Sequence, residues 1–187
     1  SPENAPLHKL GSEQWNKAKH NAIKKIRDVA AELLDIYAKR STRKGFKYQW
    51  EKGDYEKFEN EFPYQVTEDQ ENAISSVLDD LASEEPMDRV ICGDVGFGKT
   101  EVAMRATLIA TLNHKQVVVL APTTLLANQH ENSFKNRFKN WPIKVDLISR
   151  FQNQKIIEEV NDNIKSGITD VVIGTHKVFS HINNFKN

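Results

Sequence analysis

Eight consecutive residues, Gly93-Asp94-Val95-Gly96-Phe97-Gly98-Lys99-Thr100, hold the densest chemistry in this chain. They match G-x-x-x-x-G-K-[ST], the pattern of a loop that wraps a nucleoside triphosphate. Glycines let the backbone curl so that successive N–H groups point at one anion. A helix opening at Lys99 would bring the positive end of its dipole to the same place. Lys99 would reach the β- and γ-phosphates, the Thr100 hydroxyl would ligate Mg²⁺, and Glu101 would sit in the first turn beside them. A glycine-rich turn before a helix can look similar without any function. Here an apolar run (89–92) precedes the loop and a helical pattern follows it, which is the context the mechanism requires.

The base is addressed less directly. No Asn-Lys-x-Asp segment is present to read guanine. Upstream, Thr67-Glu68-Asp69-Gln70 places a carboxamide at a helix start, and a carboxamide can donate to and accept from an adenine edge together. ATP is therefore the expected nucleotide, with Phe62 available to stack beside Gln70.

Positioning these residues demands a scaffold of strands and helices. Short apolar runs at 89–92, 116–121, 144–148 and 170–174 alternate with amphipathic stretches near 68–82, 99–112, 124–138 and 152–165. Alternation of this kind, with continuous β-branched runs, predicts an α/β fold: a parallel sheet covered by helices on both faces, joined by right-handed crossovers. On the helix at 68–82, Ala73, Ile74, Val77, Leu78 and Leu81 form the expected inner side. Cys92, the single cysteine, falls within an apolar run and is expected to be a buried structural thiol. One cysteine excludes an internal disulfide, which suits a reducing, cytoplasmic home.

The region before this scaffold differs in character. Residues 13–40 carry Trp15, Ala18, Ala22, Ile26, Val29, Leu33 and Tyr37 at spacings of three and four, predicting one helix about 40 Å long. Ser12 is its expected N-cap, Lys39 and Arg40 suit its last turn, and Gly45 lies just beyond. Formal charge sums to zero over the chain but divides sharply. Residues 9–47 hold 11 Lys/Arg and 4 Asp/Glu (+7), whereas residues 51–94 hold 3 and 14 (−11). The expected organisation is thus a tail (1–12), a long basic linker helix (13–45), an aromatic linker with a short helix near 53–61 (46–66), and an α/β domain (67–187). No run of about 18 apolar residues predicts a membrane span, and the N-terminus lacks a secretory pattern.

Four motifs now stand in order: Thr67-x-x-Gln70, the loop at 93–100, Ala121-Pro122-Thr123-Thr124-Leu125-Leu126-Ala127-Asn128-Gln129-His130, and Ile173-Gly174-Thr175-His176-Lys177. Together they resemble the adenine-reading Q motif and motifs I, Ia and Ib of superfamily-two DNA translocases. The wording Gly-Asp-Val-Gly-Phe-Gly-Lys-Thr-Glu-Val-Ala-Met-Arg-Ala is similar to the bacterial transcription-repair coupling factors; RecG-type helicases, the alternative, usually carry Ser where Phe97 stands. Ala5-Pro6-Leu7-His8-Lys9-Leu10-Gly11, Gln14-Trp15 and 28–34 resemble the coupling factors as well, where this stretch joins an RNA-polymerase-binding domain to the motor. The long helix could alternatively serve as a docking or linker module in its own right.

The resemblance implies a RecA-like P-loop domain belonging to an ATP-dependent hydrolase that moves on duplex DNA, displaces stalled RNA polymerase and leads to nucleotide-excision repair. It implies an ATP and Mg²⁺ site at Phe62, Gln70, 93–100 and Glu101. It also implies sequence-independent backbone contacts to double-stranded DNA from Pro122, Thr123, Thr124 and Gln129, and from Gly174, Thr175, His176 and Lys177; Ser149 and Arg150 are weaker candidates. RNA polymerase and excision-repair proteins would be met through domains outside this chain, and no membrane is implied. The family continues to a strand ending in Asp-Glu-x-His, which lies beyond Asn187. The acidic pairs Asp79-Asp80 and Glu84-Glu85 are expected to be surface charge instead. The expectation is therefore a motor fragment that binds nucleotide weakly and does not hydrolyse it alone.

Overall fold

The computed structural model describes residues 11–185, with only the backbone of 181–184; the expected N-terminal tail lies outside these bounds up to residue 10. The chain divides into two compact units, residues 1–45 and 46–187. The first holds helix α1 (Glu13–Ser41), capped where the Ser12 hydroxyl accepts from the Trp15 N–H, with Lys39 and Arg40 in its last turn. None of its residues is buried. Ile26, Val29, Leu33, Leu34 and Tyr37 are each at least half exposed.

In the second unit, α2 (Lys52–Asn60) and α3 (Glu68–Ala82) precede α4 (Lys99–Leu112). Strands β1 (Val117–Leu120), β2 (Val145–Ile148) and β3 (Val171–Gly174) then alternate with α5 (Thr124–Arg137) and α6 (Gln154–Ser166), and a 3-10 helix (His176–Asn184) follows. The sheet is parallel, in the order β1-β3-β2. In register, Leu120 and Ile148 both stand beside Gly174, so the three strands end level at one carboxyl edge.

Strand alternation decides the two faces. Val171 and Ile173, with Val145 and Leu147, point to α4 and α5 through Met104, Leu108, Ala127, Phe134 and Phe138. Val172 and Ile148 point the other way, to Val160 and Ile164 of α6 and to Val178. The crossover from β1 to β2 thus uses one face and the return from β2 to β3 the other, so the two connections share one hand. Helix α3 packs on α4 through Ile74, Val77 and Leu81 against Val102 and Ile109.

Two expectations are overturned. Residues 89–92 form no strand, because no described strand lies alongside to complete a ladder. An unpaired run leaves its N–H and C=O groups to water, and β-propensity expresses packing on a sheet more than a backbone preference. Val90 is accordingly 82% exposed. Cys92, expected to be buried, is exposed for the same reason. Ile91 alone of the run packs inward, against the α3–α4 cluster. No helix of the described residues is long and apolar enough to cross a membrane.

Candidate nucleotide and nucleic-acid site

The loop before α4 takes its shape from two glycines in the left-handed region, Gly96 at φ +84° and Gly98 at φ +78°. Gly98 occupies the N-cap of α4 with no side chain bonding the helix end. An uncapped helix start beside a flexible lysine is what an anion needs. The Lys99 ammonium donates to the carbonyl oxygens of Gly93 and Asp94, the latter at 2.7 Å, which folds it back over the loop. Val95 at the tip is fully exposed. The residues present fit a triphosphate: a curled backbone, a lysine within the curl and the partly exposed Thr100 at the second helical position. Among the described residues no three His, Cys, Asp or Glu side chains cluster to hold a metal. A cation here would be held by Thr100 and the phosphates themselves.

Gln70 reaches this loop from α3. Thr67 and Gln70 form a reciprocal capping box, in which Gln70 Oε1 accepts from the Thr67 N–H at 2.9 Å and Thr67 Oγ1 accepts from the Gln70 N–H. Gln70 Nε2 donates to the Phe97 carbonyl at 2.5 Å. The side chain that sequence offers for an adenine edge also braces helix α3 against the phosphate loop. One N–H and one oxygen lone pair remain on the carboxamide, so its fixed orientation still leaves a donor–acceptor pair. It borders a cleft of about 970 Å³, together with Phe62, Thr100, Glu101, Gln129 and Arg137. Gln129, expected at DNA, faces this cleft.

At the cleft Glu101 meets charged residues that sequence did not single out, Glu59, Arg105 and Arg137. Glu101 accepts from Arg105 Nε at 3.1 Å and from Arg137 through Nη2 at 2.8 Å and Nε at 3.0 Å. Arg105 Nη1 donates onward to Glu59 at 2.6 Å and to the Tyr55 hydroxyl at 3.1 Å. Burial opposes the charge on Arg105, yet bonds to Tyr55, Glu59 and Glu101 more than offset it and hold its pKa above the ordinary arginine value. Burial likewise raises the Tyr55 phenol, against the pull of Arg105. The Arg137 guanidinium lies 3.6 Å from the Phe58 ring centroid and 5.6 Å from that of Phe62. The available signal was Arg105 four residues after Glu101 within an otherwise apolar helix face; such an arginine must find partners.

At the carboxyl edge of the sheet, the turns after all three strands carry the other candidates. Thr123 caps α5, its hydroxyl accepting from the Leu126 N–H at 3.2 Å, and Pro122 is exposed beside it with Thr124 half-buried. Arg150 is exposed after β2, its guanidinium over the Phe151 ring. His176 is exposed and Lys177 half-buried after β3. Ser149 and Thr175 are 2% and 6% exposed, so neither hydroxyl reaches a surface ligand. Gly174 is buried too; a Cβ there would stand 2.4 Å from the Ile148 carbonyl oxygen. These three seat the edge, leaving Pro122, Thr123, Arg150, His176 and Lys177 to present it. This carboxyl edge is where open α/β sheets take their ligands, whereas the phosphate loop shares its cleft with the C-terminal half of α5, from Gln129 to Arg137.

A family model described as DEAD/DEAH box helicase matches residues 67–187. The chain is 53% identical over 178 residues to the transcription-repair-coupling factor of Haemophilus influenzae, covering 95% of this chain and 16% of that relative. It is 51% identical to the Escherichia coli transcription-repair-coupling factor, over 98% of this chain and 16% of that one. With the factor of Buchnera aphidicola subsp. Baizongia pistaciae it shares 49% identity over 100% of this chain and 27% of the relative. A solved structure of RecG bound to a three-way DNA junction aligns with TM-score 0.76 at 33% identity, over 82% of this chain and 21% of that one. The chain thus spans between about a sixth and a quarter of these proteins.

Proposed function

Because this chain belongs to the DEAD/DEAH box helicase family, we propose that it is the ATP-holding and leading DNA-gripping part of a double-stranded-DNA translocase. The longer protein is a coupling factor that displaces stalled RNA polymerase and brings excision-repair proteins to the lesion, working in the cytoplasm. The observation that carries this reading is the phosphate loop at the uncapped start of α4, in a domain whose parallel sheet gathers the exposed turns at 122–124, 150 and 176–177 at one carboxyl edge.

In this reading Lys99 and the loop N–H groups bind the triphosphate and Thr100 completes the Mg²⁺ shell. The spare donor and acceptor of Gln70 meet the adenine edge, with Phe62 against its face. Hydrolysis of the bound ATP supplies the free energy for movement. Thr123, Thr124, Arg150, His176 and Lys177 take phosphate oxygens of the duplex, contacts that carry no sequence information, as a motor that tracks any DNA requires. Alone, this chain binds nucleotide without turning it over, because groups that position the attacking water are supplied from elsewhere. The coupling-factor relatives match the region of α1 as well as the α/β domain, which favours that reading over a RecG-type fork helicase.

Titration with a fluorescent ATP analogue tests the site. Lys99→Ala is expected to weaken binding at least about tenfold, the loss of one charge-assisted phosphate contact. Gln70→Ala is expected to erase the preference for ATP over GTP while keeping most of the affinity. Equal binding of ATP and GTP by the unaltered chain would overturn the adenine reading. Steady ATP turnover by this chain, abolished in Lys99→Ala, would overturn its inactivity alone. Aspartates at Leu33 and Leu34 in the longer protein test α1 as a docking element; unchanged partner binding and motor activity would remove that role.

A further inference from the structure

Glu101 follows Thr100 directly, and two arginines, the buried Arg105 and the partly buried Arg137, compete for its carboxylate. Arg137, the last residue of α5, grips it with both Nε and Nη2. Arg105 holds it through Nε alone, and Arg105 Nη2 is buried with no hydrogen-bond partner. A buried donor without a partner is costly and calls for a reason. The Nε and Nη2 groups form one edge of a guanidinium, the fork that fits a carboxylate bidentately. Arg105 therefore carries an empty half of a fork beside a carboxylate that the other arginine currently fills. The site holds two sensible arrangements: Glu101 forked to Arg137, or Glu101 forked to Arg105.

The first arrangement ties α5 to the phosphate-loop helix. Helix α5 starts at the Thr123 turn on the sheet edge and ends at Arg137 on the nucleotide cleft, about 21 Å away over its 14 residues. Ala127 and Phe134 are buried along its length and seat the helix on the core as one continuous element. Resting on the nucleotide and DNA sites proposed above, we propose that Glu101 is a two-position carboxylate whose exchange between Arg137 and Arg105 couples the nucleotide cleft to the DNA-gripping turn at the start of α5. Arg137 and Glu101 are positioning residues in this coupling. Rigid elements with two discrete side-chain arrangements are what carries free energy between separate sites. The coupling is reciprocal: DNA must change nucleotide affinity by the factor by which nucleotide changes DNA affinity.

The test uses the full-length protein carrying this segment. Dissociation constants for a non-hydrolysable ATP analogue are measured with and without saturating duplex DNA, and their ratio is the coupling factor. The unaltered protein is expected to show a factor of about ten, within the usual 5–150-fold range. Glu101→Gln and Arg137→Gln are each expected to bring it to about one to two, and the double variant to change it no further. Arg137→Lys keeps the charge but not the fork, and is expected to fall between. A purely structural role would lower both affinities and leave the ratio intact, so unchanged ratios in the folded single variants overturn the proposal. A ratio of one in the unaltered protein, with both ligands bound, overturns it while sparing the proposed function. Failure to bind either ligand removes both. Should Glu101→Gln fail to fold, Arg137→Lys alone decides between the outcomes.

Discussion

Residues 88–93 read Asp-Arg-Val-Ile-Cys-Gly and residues 170–174 read Asp-Val-Val-Ile-Gly, and each run leads into a candidate binding turn. The second is the central strand of the sheet, paired on both sides, with Val171, Val172 and Ile173 wholly buried. The first has no strand partner and turns Val90 and Cys92 to solvent. Similar apolar runs give opposite outcomes because a strand is made by its neighbours: ladder bonds and two apolar faces are available at 171–174 and absent at 89–92 among the described residues. The glycines that follow differ as well. Gly96 and Gly98 are required by positive φ, whereas Gly174 is required by space, its missing Cβ clearing the backbone of Ile148.

The sharpest way to break this contrast is Ile173→Ala set against Val90→Ala in denaturant unfolding. The buried deletion is expected to cost about 2–5 kcal/mol, and the exposed one to stay within about 0.5 kcal/mol. Comparable costs would mean that 89–92 is paired after all. Next, Gly174→Ala should cost about 1–3 kcal/mol by overpacking against backbone that must shift, seen as a lowered unfolding midpoint. Gly96→Ala should cost about 1–2 kcal/mol through left-handed strain alone, since nothing lies within 4 Å of the added carbon. It should also weaken fluorescent nucleotide binding, an effect Gly174→Ala lacks.

The smallest effect concerns the tether at the head of the unpaired run. Arg89 forks to Asp80 at 2.6 and 2.9 Å, and its hydrogen bonds hold the Asp80 carboxyl below the ordinary 3.8. A depressed carboxyl stabilises the fold above its unfolded value, and that contribution disappears as pH falls through the lower folded value. Melting temperatures of the unaltered chain and Asp80→Asn should therefore differ by a small constant amount at neutral pH and converge below the ordinary carboxylate range. A difference that persists in strong acid would show that the tether acts through packing instead.

Much of the scaffold was legible because its signals are local. Thr67 and Gln70 stand at capping-box spacing, Ser12 and Thr123 precede helices as hydroxyl caps, and the valine-rich runs at 117–120 and 171–174 show themselves as strands in composition alone, although only the second is fully buried. The P-loop pattern was legible for the same reason, since its glycines and its Lys-Thr pair are contiguous in the chain. The candidate DNA residues were less so: Ser149 and Thr175 look identical in sequence to exposed hydroxyls, and only the three-dimensional turn buries them.

The sequence by itself therefore determined the repertoire: which helices form and where they are capped, a phosphate-holding loop, and an α/β alternation with a basic helix ahead of it. Tertiary structure decided what depends on partners distant along the chain. It left 89–92 without a ladder, braced Gln70 against Phe97, and gathered Glu59, Glu101, Arg105 and Arg137 from three helices into one partly buried network. Caps and backbone turns are settled within a few residues. Strand pairing, burial of a hydroxyl and sharing of a carboxylate are settled by groups that meet only once the chain has folded.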